Sequence, residues 1–355
     1  MNVLMFDAAY PPPIVGGKEK QAHLLARELV RQGVRVQALS YKHNGNHTEF
    51  HDGILIVRVC NGLLAVPEFL LQLIKLRFNF NILHIHTPSR IGLILAISGY
   101  ILGYKVLFKF PGQTIFDNKS IVYSILLSIV LKISKQLIVL EDKTRNKLDS
   151  IGIEEGKIFY SVNGVEMRDL KCYSSEPDEI ILLFVGRLDP IKCCDCLIQS
   201  CSLLDPLKIN WKLNIVGDGA IQPELEVLSK ELNISHRVFF LGYQPNTIEF
   251  MNEADILILP SKSEGMSNVL LEAVSVGLPI VATDVGSARR IVGSFASKFL
   301  CRLMDKEDLA NKIEYLAENY EMRKEYGMYL HNRAKELFSI EEVARKYLIK
   351  YLLIS

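Results

Sequence analysis

The sequence lacks a charge excess, a membrane-length apolar run and a regular cysteine framework. Its 41 Lys and Arg side chains almost balance its 40 Asp and Glu side chains, for a net charge of +1, whereas nucleic-acid-binding proteins usually carry a basic excess. The longest uncharged apolar stretch, 91–104, has fourteen residues, and a membrane-spanning helix needs about 20. These absences argue against nucleic acid as a partner and against a transmembrane segment.

The cysteines and the first residues bear on the compartment. Four of the seven cysteines lie within 193–201, a crowding that disulfide frameworks do not show and that predicts reduced thiols. The opening residues have no basic segment and only a short apolar run, 2–6, before Asp7, so we expect no signal peptide. Both features predict a cytoplasmic protein.

Length and composition are those of a two-domain globular protein. With 355 residues, of which 49% are hydrophobic, the chain has enough apolar material for two cores. The charges divide unevenly, because residues 1–170 carry a net charge of +6 and residues 171–355 carry −5. The near-zero net charge is therefore the sum of a basic half and an acidic half.

Short apolar runs alternate with helix-length segments along the whole chain. In the first half, a helix over 18–31 is predicted to end at Gly33, and the predicted strands are 2–6, 34–39, 82–85, 106–110 and 136–140. In the second half, the predicted strands are 180–185, 211–216, 238–241, 256–259 and 280–282. This alternation is typical of α/β domains with parallel sheets.

We therefore predict two Rossmann-like, doubly wound domains that face each other across a cleft. The first covers residues 1–170, a polar linker spans 171–178, and the second covers 179–338. The last segment, 339–355, begins with a capping box and is predicted to be a helix that packs back on the first domain. Ligands of such sheets bind at the carboxyl ends of the strands.

The most informative stretch is 254–279, where a buried strand leads through a small-residue loop into a helix. The helix begins near Asn268, and the free N–H groups of residues such as Val269 form an anion site with the helix dipole. Glu264 precedes this helix and Glu272 lies one turn inside it. Two acids beside an anion site suit hydroxyl recognition on both sides of a diphosphate, whereas an isolated acid pair is typical of a surface.

Two further clusters follow predicted strands. In F-V-G-R-L-D-P-I-K, Arg187 offers a bidentate fork and Lys192 a point charge, a combination that neutralises a pyrophosphate leaving group. In P-P-P-I-V-G-G-K-E, Gly16 and Gly17 allow close approach of the backbone to a ligand. Each cluster alone also fits solvated charges or an ordinary turn.

Together these segments resemble family 4 of the retaining glycosyltransferases, which have the GT-B architecture. The resemblance is carried by Y-P-P…G-G-K-E near the start, D-S-I-G-I…V-N-G-V-E before the linker, V-G-R-L-D-P-I-K, I-V-G-D-G, the Glu264–Glu272 segment and V-A-T-D-V-G-S. These segments occur in the family's order and spacing across almost the whole chain.

The resemblance implies a role for each candidate residue. Glu264 would face the transferred sugar and Glu272 the nucleotide ribose, while Arg187 and Lys192 would hold the diphosphate. The glycine pair would close over the donor, and His86, near a strand end, is a candidate for substrate contact. The predicted catalytic residues are Glu264, Arg187 and Lys192, and the predicted donor-binding residues are Gly16, Gly17, Arg187, Lys192, Glu264, Asn268, Val269 and Glu272.

We expect neither a cofactor nor a metal in the reaction. The sequence contains no Asp-x-Asp to hold a metal, so the cations and the helix dipole would stabilise the leaving diphosphate. No second carboxylate has a spacing that indicates a covalent glycosyl-enzyme. The family therefore leads us to favour front-face attack, in which the leaving phosphate deprotonates the incoming hydroxyl.

The chain departs from the family pattern at several places. Pro111 stands where a His-Gly pair is frequent, and Ser287 and Arg290 stand where Gly and Glu are common. Cys193 follows Lys192 where Gly is usual. These departures bear on the sugar pocket more than on the diphosphate site.

The remaining His and Cys residues give weaker signals. His84 and His86 point to one face of a strand, which a strand end in a cleft explains better than a metal site does. His43, His47 and His51 recur every fourth residue in a polar loop, where we expect solvated side chains. The cysteine cluster has no paired C-x-x-C spacing and is not predicted to bind zinc.

The basic first half also holds the most apolar segments: 63–76, 91–104 and 121–133. They are either buried helices of an α/β domain or part of a surface that docks on an anionic leaflet. On the second interpretation, the acceptor is a polyprenyl-linked saccharide at the inner face of the plasma membrane, as in the synthesis of bacterial surface polysaccharides.

We therefore expect a retaining, metal-independent hexosyltransferase that moves a hexose or N-acetylhexosamine from a UDP- or GDP-sugar to a saccharide acceptor. Two alternatives stay open: a sugar-nucleotide epimerase or hydrolase of the same fold, which turns over donor without acceptor, and a non-catalytic subunit, which binds nucleotide without transfer. A dehydrogenase is disfavoured because no complete G-x-G-x-x-G follows either first strand.

Overall fold

The computed structural model divides the chain into two compact units. It describes residues 1–354 except 13–16, 43–46, 61–64, 111, 119, 174–176 and 205–208. Unit 1 consists of Met1–Gly164 together with Ile340–Ser355, and unit 2 consists of Val165–Ser339. Unit 2 thus begins before the predicted linker at 171–178.

Unit 1 is built on a sheet that is parallel apart from one edge strand. Its strands are β1 (Asn2–Phe6), β2 (Arg35–Tyr41), β3 (Thr48–His51), β4 (Ile54–Val59), β5 (Ile82–Ile85), β6 (Lys105–Phe110), β7 (Gln136–Val139) and β8 (Ile158–Tyr160). Among the described residues they form one eight-stranded sheet in the order β3-β4-β2-β1-β5-β6-β7-β8. Only β3 runs antiparallel to its neighbour in this sheet. The strand order reverses between β1 and β5, which makes this the topological switch point of the unit.

Helices cover both faces of this sheet. They are α1 (Gly17–Arg31), α2 (Ala65–Leu76), α3 (Arg90–Ile101), α4 (Ile121–Ile133), α5 (Asp142–Ser150) and α13 (Ile340–Ile354), with short 3-10 turns at Gln113–Asp117 and Glu155–Lys157. The buried sides of α2, α3 and α4 pack with β1, β5 and β6 in one apolar core. The last helix, α13, packs against α1 and brings the Tyr351 hydroxyl to 2.7 Å from His84 Nδ1.

Unit 2 repeats the same plan. Its strands are β9 (Ile180–Val185), β10 (Trp211–Val216), β11 (Val238–Phe240), β12 (Ile256–Leu259), β13 (Ile280–Thr283) and β14 (Leu300–Cys301). In the described part of the unit they form a six-stranded, all-parallel sheet in the order β11-β10-β9-β12-β13-β14. The switch point therefore lies between β9 and β12. The predicted α/β class, with two doubly wound sheets, is confirmed.

The helices of unit 2 connect these strands. They are α6 (Cys194–Cys201), α7 (Gln222–Glu231), α8 (Ile248–Glu253), α9 (Asn268–Val276), α10 (Ala288–Ala296), α11 (Lys306–Glu318) and α12 (Tyr320–Leu337), with 3-10 turns at Pro190–Lys192, Ser235–Arg237 and Ser297–Phe299. Gly277 ends α9 with a φ of 74°, a left-handed conformation that glycine adopts without cost.

The central strands follow the sequence prediction because parallel strands covered on both faces are continuous apolar runs. β1, β5, β9, β10 and β12 coincide with their predicted bounds. The sequence prediction omitted β3, β4, β8 and β14. β3 is polar and lies at the sheet edge, while β8 and β14 span only three and two residues, too short for a periodic signal.

Candidate functional site

The loops after β9 and β12 leave the sheet of unit 2 on either side of its switch point. In a parallel sheet the carboxyl ends of adjacent strands meet at one edge, and a crevice opens where the strand order reverses. The β9 loop carries Arg187 and Lys192, and the β12 loop carries Glu264. A hydrogen bond from the Lys262 amide to the Ile191 carbonyl, 2.8 Å, ties the two loops together.

Lys192 and Glu264 form an ion pair between these loops. Lys192 Nζ lies 2.6 Å from Glu264 Oε1, and the two side chains are 19% and 14% exposed. The same carboxylate oxygen accepts a hydrogen bond from the buried Ser261 hydroxyl, at 2.9 Å. Charge-assisted bonds of this length hold both side chains in one orientation. The structure therefore brings together two of the three predicted catalytic residues.

The turn that carries Lys192 has an unusual backbone. The 3-10 turn Pro190–Lys192 ends at Cys193, whose φ of 50° and ψ of 42° are left-handed. Such a conformation costs an L-residue roughly 1–2 kcal/mol, and glycine does not incur it. Cys193 therefore occupies a position whose backbone conformation favours glycine, the residue that the family resemblance leads us to expect there.

Glycines let the neighbouring loops close on this pair. Gly286 follows β13 with a φ of +56°, and a Cβ there would lie 2.1 Å from the Glu264 carbonyl oxygen. Gly217, in I-V-G-D-G, has a φ of +132°, and its Cβ would lie 1.9 Å from the Gly186 carbonyl oxygen. Both separations are far below van der Waals contact. The glycines of V-G-S and I-V-G-D-G thus serve close packing of the loops around the Lys192–Glu264 pair.

The first turn of α9 follows the β12 loop. Ser267 occupies the N-cap position, but within the described residues its side chain makes no capping hydrogen bond. Asn268 and Val269, the first residues of the helix, are half-buried. Their N–H groups belong to the set that has no partner inside a helix, and the positive end of the helix dipole lies there.

Glu272 lies one turn further into α9 and is half-buried. Its Oε2 accepts a hydrogen bond of 3.0 Å from the hydroxyl of Thr247, the residue that precedes α8. The hydroxyls of Thr247 and Ser261 each help to position one of the two glutamates, and neither residue was predicted from the sequence. Their hydroxyls carry no pattern of their own, because each acts only through the carboxylate that it meets in the fold.

Arg187 does not join the Lys192–Glu264 pair. Its side chain is 81% exposed, and its guanidinium lies 3.1 Å from a carboxylate oxygen of Asp189, two residues on. An exposed ion pair of this kind contributes at most about 1 kcal/mol. The guanidinium of Arg187 is therefore exposed beside the switch point, and only a weak ion pair with Asp189 orients it.

The candidates in unit 1 lie in different settings. Gly17 is the exposed first residue of α1, while Gly16 and Pro111 lie outside the described residues. His86 follows β5 and is buried, with its ring 3.9 Å from that of His84. Burial, with a smaller effect of the neighbouring His84, holds the pKa of His86 well below its ordinary value, so its imidazole is neutral at pH 7.

Two buried charged residues near the carboxyl edge of the unit 1 sheet were not predicted from the sequence. Asp7 follows β1 and Lys109 lies within β6, and both are buried. Burial raises the pKa of Asp7 to about 6 and lowers the pKa of Lys109 to about 8. The charge of Lys109 partly offsets the effect of burial on Asp7, and the charge of Asp7 partly offsets the effect of burial on Lys109. A lysine inside the apolar run V-L-F-K-F was the available signal.

No helix among the described residues combines the length and apolarity that crossing a membrane requires.

The seven cysteines are free thiols, and five of them are buried: Cys193, Cys194, Cys196, Cys201 and Cys301. The crowded cysteines of 193–201 therefore lie within the packed start of unit 2.

Two family models match consecutive parts of the chain. The model described as Glycosyltransferase Family 4 matches residues 15–168, and the model described as Glycosyl transferases group 1 matches residues 169–333. The first match falls largely in unit 1 and the second within unit 2. The ion pair and both glutamates therefore belong to the group 1 part.

Characterised proteins resemble the chain over about half of their lengths. It is 32% identical over 218 residues to the N-acetylgalactosamine-N,N'-diacetylbacillosaminyl-diphospho-undecaprenol 4-alpha-N-acetylgalactosaminyltransferase of Campylobacter jejuni, covering 60% of this chain and 57% of that protein. It is 28% identical over 177 residues to the N-acetyl-alpha-D-glucosaminyl L-malate synthase of Bacillus anthracis, covering 50% of this chain and 46% of that protein.

Solved structures match the fold over almost the whole chain. The crystal structure of Anabaena Alr3699/HepE in complex with UDP superposes with a TM-score of 0.80 at 18% identity and covers 99% of this chain and 100% of that one. At this identity the likeness shows the fold alone, which is the GT-B fold.

Proposed function

We propose that the chain is a retaining hexosyltransferase, because consecutive parts of it match the models of glycosyltransferase family 4 and of glycosyl transferases group 1 and its fold is GT-B. It moves a hexose or N-acetylhexosamine from a UDP- or GDP-sugar to a saccharide acceptor. The observation that carries the proposal is the Lys192–Glu264 ion pair, 2.6 Å long, at the switch point of unit 2.

The donor diphosphate is held by cations at this switch point. Lys192 has three N–H donors, of which the contact with Glu264 occupies one. The others are available to phosphate oxygens, and Arg187 at the rim adds a planar fork that can rotate onto the same group. The N–H groups of Asn268 and Val269 and the dipole of α9 supply further positive potential.

The two glutamates recognise hydroxyl groups on either side of the diphosphate. Glu264 Oε1 is fixed by Lys192 and Ser261, so the carboxylate is oriented before a sugar hydroxyl donates to it. The Thr247 hydroxyl holds the Glu272 carboxylate, which accepts a hydrogen bond from a hydroxyl of the nucleotide ribose. Preorganised acceptors of this kind avoid an ordering cost when the donor binds.

The transfer step is a front-face displacement. The bond between the anomeric carbon and the diphosphate oxygen breaks, and the acceptor oxygen forms its bond on the same face of the sugar. The acceptor proton passes to the departing phosphate oxygen, so that the configuration is retained without a covalent enzyme intermediate. Lys192 and Arg187 stabilise the negative charge that develops on the diphosphate, and the reaction requires no metal ion.

The acceptor is a saccharide on a polyprenyl diphosphate at the inner face of the plasma membrane, where it serves surface polysaccharide synthesis. The name of the Campylobacter jejuni relative contains a diphospho-undecaprenol acceptor. In unit 1, α4 exposes Ile121, Ile125 and Ile129 at one-turn spacing, and the exposed Lys132 follows them. Apolar side chains beside a cation suit an anionic leaflet.

The experiment combines a donor screen with product analysis. UDP- and GDP-sugars are incubated with and without polyprenyl-linked saccharides in the presence of EDTA, and the anomeric configuration of the product is read by NMR. The proposal predicts acceptor-dependent transfer with retention. Donor turnover without acceptor would instead support an epimerase or hydrolase, and nucleotide binding without any transfer would support a binding subunit.

The glutamate assignments are tested with matched variants. Glu264→Gln should lower kcat, because the amide is a weaker hydrogen-bond acceptor for the hydroxyls of the transferred sugar. Glu272→Ala should chiefly raise the KM for the nucleotide sugar. Glu253→Gln changes an exposed glutamate of the same unit and should leave both constants unchanged. Normal kinetics of Glu264→Gln and Glu272→Ala would refute the assignments.

A further inference from the structure

Three metal-ligating side chains from different elements meet in unit 1, away from the switch point of unit 2. They are His23 in α1, His51 at the end of β3 and Asp52 in the turn that follows. One ligand atom of each lies within 4.8 Å of the others, and no further set of three such residues occurs in the described part of the chain. His51 lies at the end of β3 rather than in a loop, and its side chain, which is 43% exposed, stacks on the ring of His23.

The β3–β4 turn places Asp52 against α1. Asp52 and Gly53 have φ values of 48° and 78°, which is typical of a two-residue hairpin turn and favours Asp-Gly. A Cβ on Gly53 would lie 3.1 Å from Val30 Cγ1, so the turn rests directly on the helix. The hairpin and α1 thus fix His51 and Asp52 relative to His23.

The distances suit a single tetrahedral ion. Asp52 Oδ2 lies 3.0 Å from His23 Nε2 and 3.8 Å from His51 Nε2, and ligands bound at about 2.0 Å to Zn²⁺ lie about 3.3 Å apart. Two imidazoles on one such ion have ring centres about 5 Å apart, and the rings of His23 and His51 are separated by 5.1 Å. Small side-chain adjustments would bring all three atoms onto one centre.

The charges around the three residues are mixed. Asp52 is the acidic member, and its Oδ2 faces both imidazoles. The opposing group is Arg27, whose positive charge acts on both His23 and Asp52 and weakens cation binding.

We propose that His23, His51 and Asp52 bind a divalent transition-metal ion, with Zn²⁺ as the best match, and leave one position for water. Two imidazoles and one carboxylate are the ligand types that Zn²⁺ takes, whereas Mg²⁺ and Ca²⁺ prefer oxygen ligands alone. The bound ion links the β3–β4 hairpin to α1 and stabilises unit 1. It takes no part in the transfer reaction.

The test titrates the full chain, stripped by chelation, with Zn²⁺ alone and then with Mg²⁺ alone. The exposed thiols of Cys60 and Cys172 are first changed to serine, since thiolates also bind Zn²⁺. We expect one Zn²⁺ per chain by calorimetry, a rise in Tm that grows with free Zn²⁺, and no comparable effect of Mg²⁺. Co²⁺ in place of Zn²⁺ should give the strong visible absorption of a four-coordinate site.

Variants decide whether these three residues hold the ion. His51→Ala and Asp52→Asn should each weaken Zn²⁺ binding at least tenfold and abolish the rise in Tm, whereas Arg27→Gln should tighten binding. His47→Ala changes the exposed histidine directly before β3 and should bind Zn²⁺ like the parent. Undiminished binding in both His51→Ala and Asp52→Asn, or no one-to-one binding in the parent, would overturn the proposal. Transfer activity of His51→Ala at low temperature should be unchanged.

Discussion

The central strands of the two units follow the same order, but the charged side chains at the carboxyl edges of the two sheets differ in their exposure. In unit 2, Lys192 and Glu264 meet near the surface and Arg187 is exposed at the rim. In unit 1, Asp7 and Lys109 occupy the corresponding edge and are both buried. The carboxyl edge of the sheet therefore carries partly exposed charges in unit 2 and two buried, oppositely charged side chains in unit 1.

This difference assigns separate tasks to the units. A charged ligand gains most from groups that are oriented yet reachable, because a fully buried charge cannot exchange its partner for a ligand. The switch point of unit 2 meets that condition, and the loops around it are drawn together by Gly217 and Gly286. Unit 1 instead exposes apolar side chains on α4, to which the proposed function assigns the lipid-linked acceptor.

The largest effect should come from removing the cation at the switch point of unit 2. Lys192→Ala is expected to lower kcat/KM by about 10²–10³, the usual cost of one lost transition-state donor. Lys262→Ala removes an exposed lysine from the neighbouring loop and serves as the control. Steady-state kinetics over a range of donor concentrations measure both, and equal activities would contradict the donor site.

A backbone change should break the loop packing around the same site. Gly286→Ala forces a Cβ against the Glu264 carbonyl at a φ of +56° and should cost about 3 kcal/mol of unfolding free energy, from strain and overpacking. Gly242→Ala shares the positive φ, +67°, but meets nothing within 4 Å, so it should cost only about 1 kcal/mol.

The comparison of Gly286→Ala with Gly242→Ala can be followed in unit 2 alone, because the single tryptophan lies there. Trp211 is buried in β10, so its fluorescence during urea unfolding reports on the unit that contains both glycines. Equal losses of stability in Gly286→Ala and Gly242→Ala would show that the contact with Glu264 is not tight.

The buried Asp7 should make the stability of unit 1 depend on pH. Burial raises the pKa of Asp7 from 3.8 to about 6, so the folded state holds this proton more tightly than the unfolded state. The contribution is complete below pH 4 and is lost as pH rises through 6, by about 2–3 kcal/mol. Asp7→Asn should flatten the profile between pH 4 and 6, as measured by hydrogen exchange of β1 and β5. An unchanged profile would contradict the burial of an ionisable Asp7.

Lys109 gives the matching prediction at high pH. Its pKa is lowered by burial to about 8, so its stabilising contribution is present above its ordinary pKa of 10.5 and is lost as pH falls through 8. Lys109→Met should remove that change, while Lys105→Met, at the half-buried start of the same strand, should leave it in place. The same hydrogen-exchange experiment between pH 8 and 10.5 distinguishes the two variants.

The smallest effect concerns the membrane. Ile121→Ser with Ile125→Ser should reduce sedimentation with anionic vesicles several-fold, because two exposed apolar side chains are lost. Val227→Ser, an exposed apolar residue of α7 in unit 2, is the control. Equal binding to anionic and neutral vesicles, or no binding to either, would refute the docking surface.

Much of the fold was predictable because its signals are local. The central strands are continuous apolar runs and the ends of α1 and α9 carry glycines, so their bounds follow from the sequence. The β3–β4 hairpin was missed although Asp52-Gly53 is a strong turn signal, because β3 spans only four residues and has no apolar run.

The candidate site was predictable only in part. Lys192 and Glu264 stand out because each follows a buried strand, and the resemblance to a known family links them. Ser261 and Thr247 are contacts between distant segments, as is the meeting of His23 with Asp52, and no spacing encodes such contacts. The burial of Asp7 and Lys109 likewise depends on helices that pack from elsewhere in the chain.

Hydrogen exchange of the full chain with and without UDP or GDP tests the central claim most directly. The account predicts that one of the two nucleotides slows exchange in the β9 loop, 186–193, and in the β12 loop with the start of α9, 260–270, and that Lys192→Ala reduces this protection. Protection confined to unit 1, or protection of these loops that is unaffected by Lys192→Ala, would contradict a donor site at the switch point of unit 2.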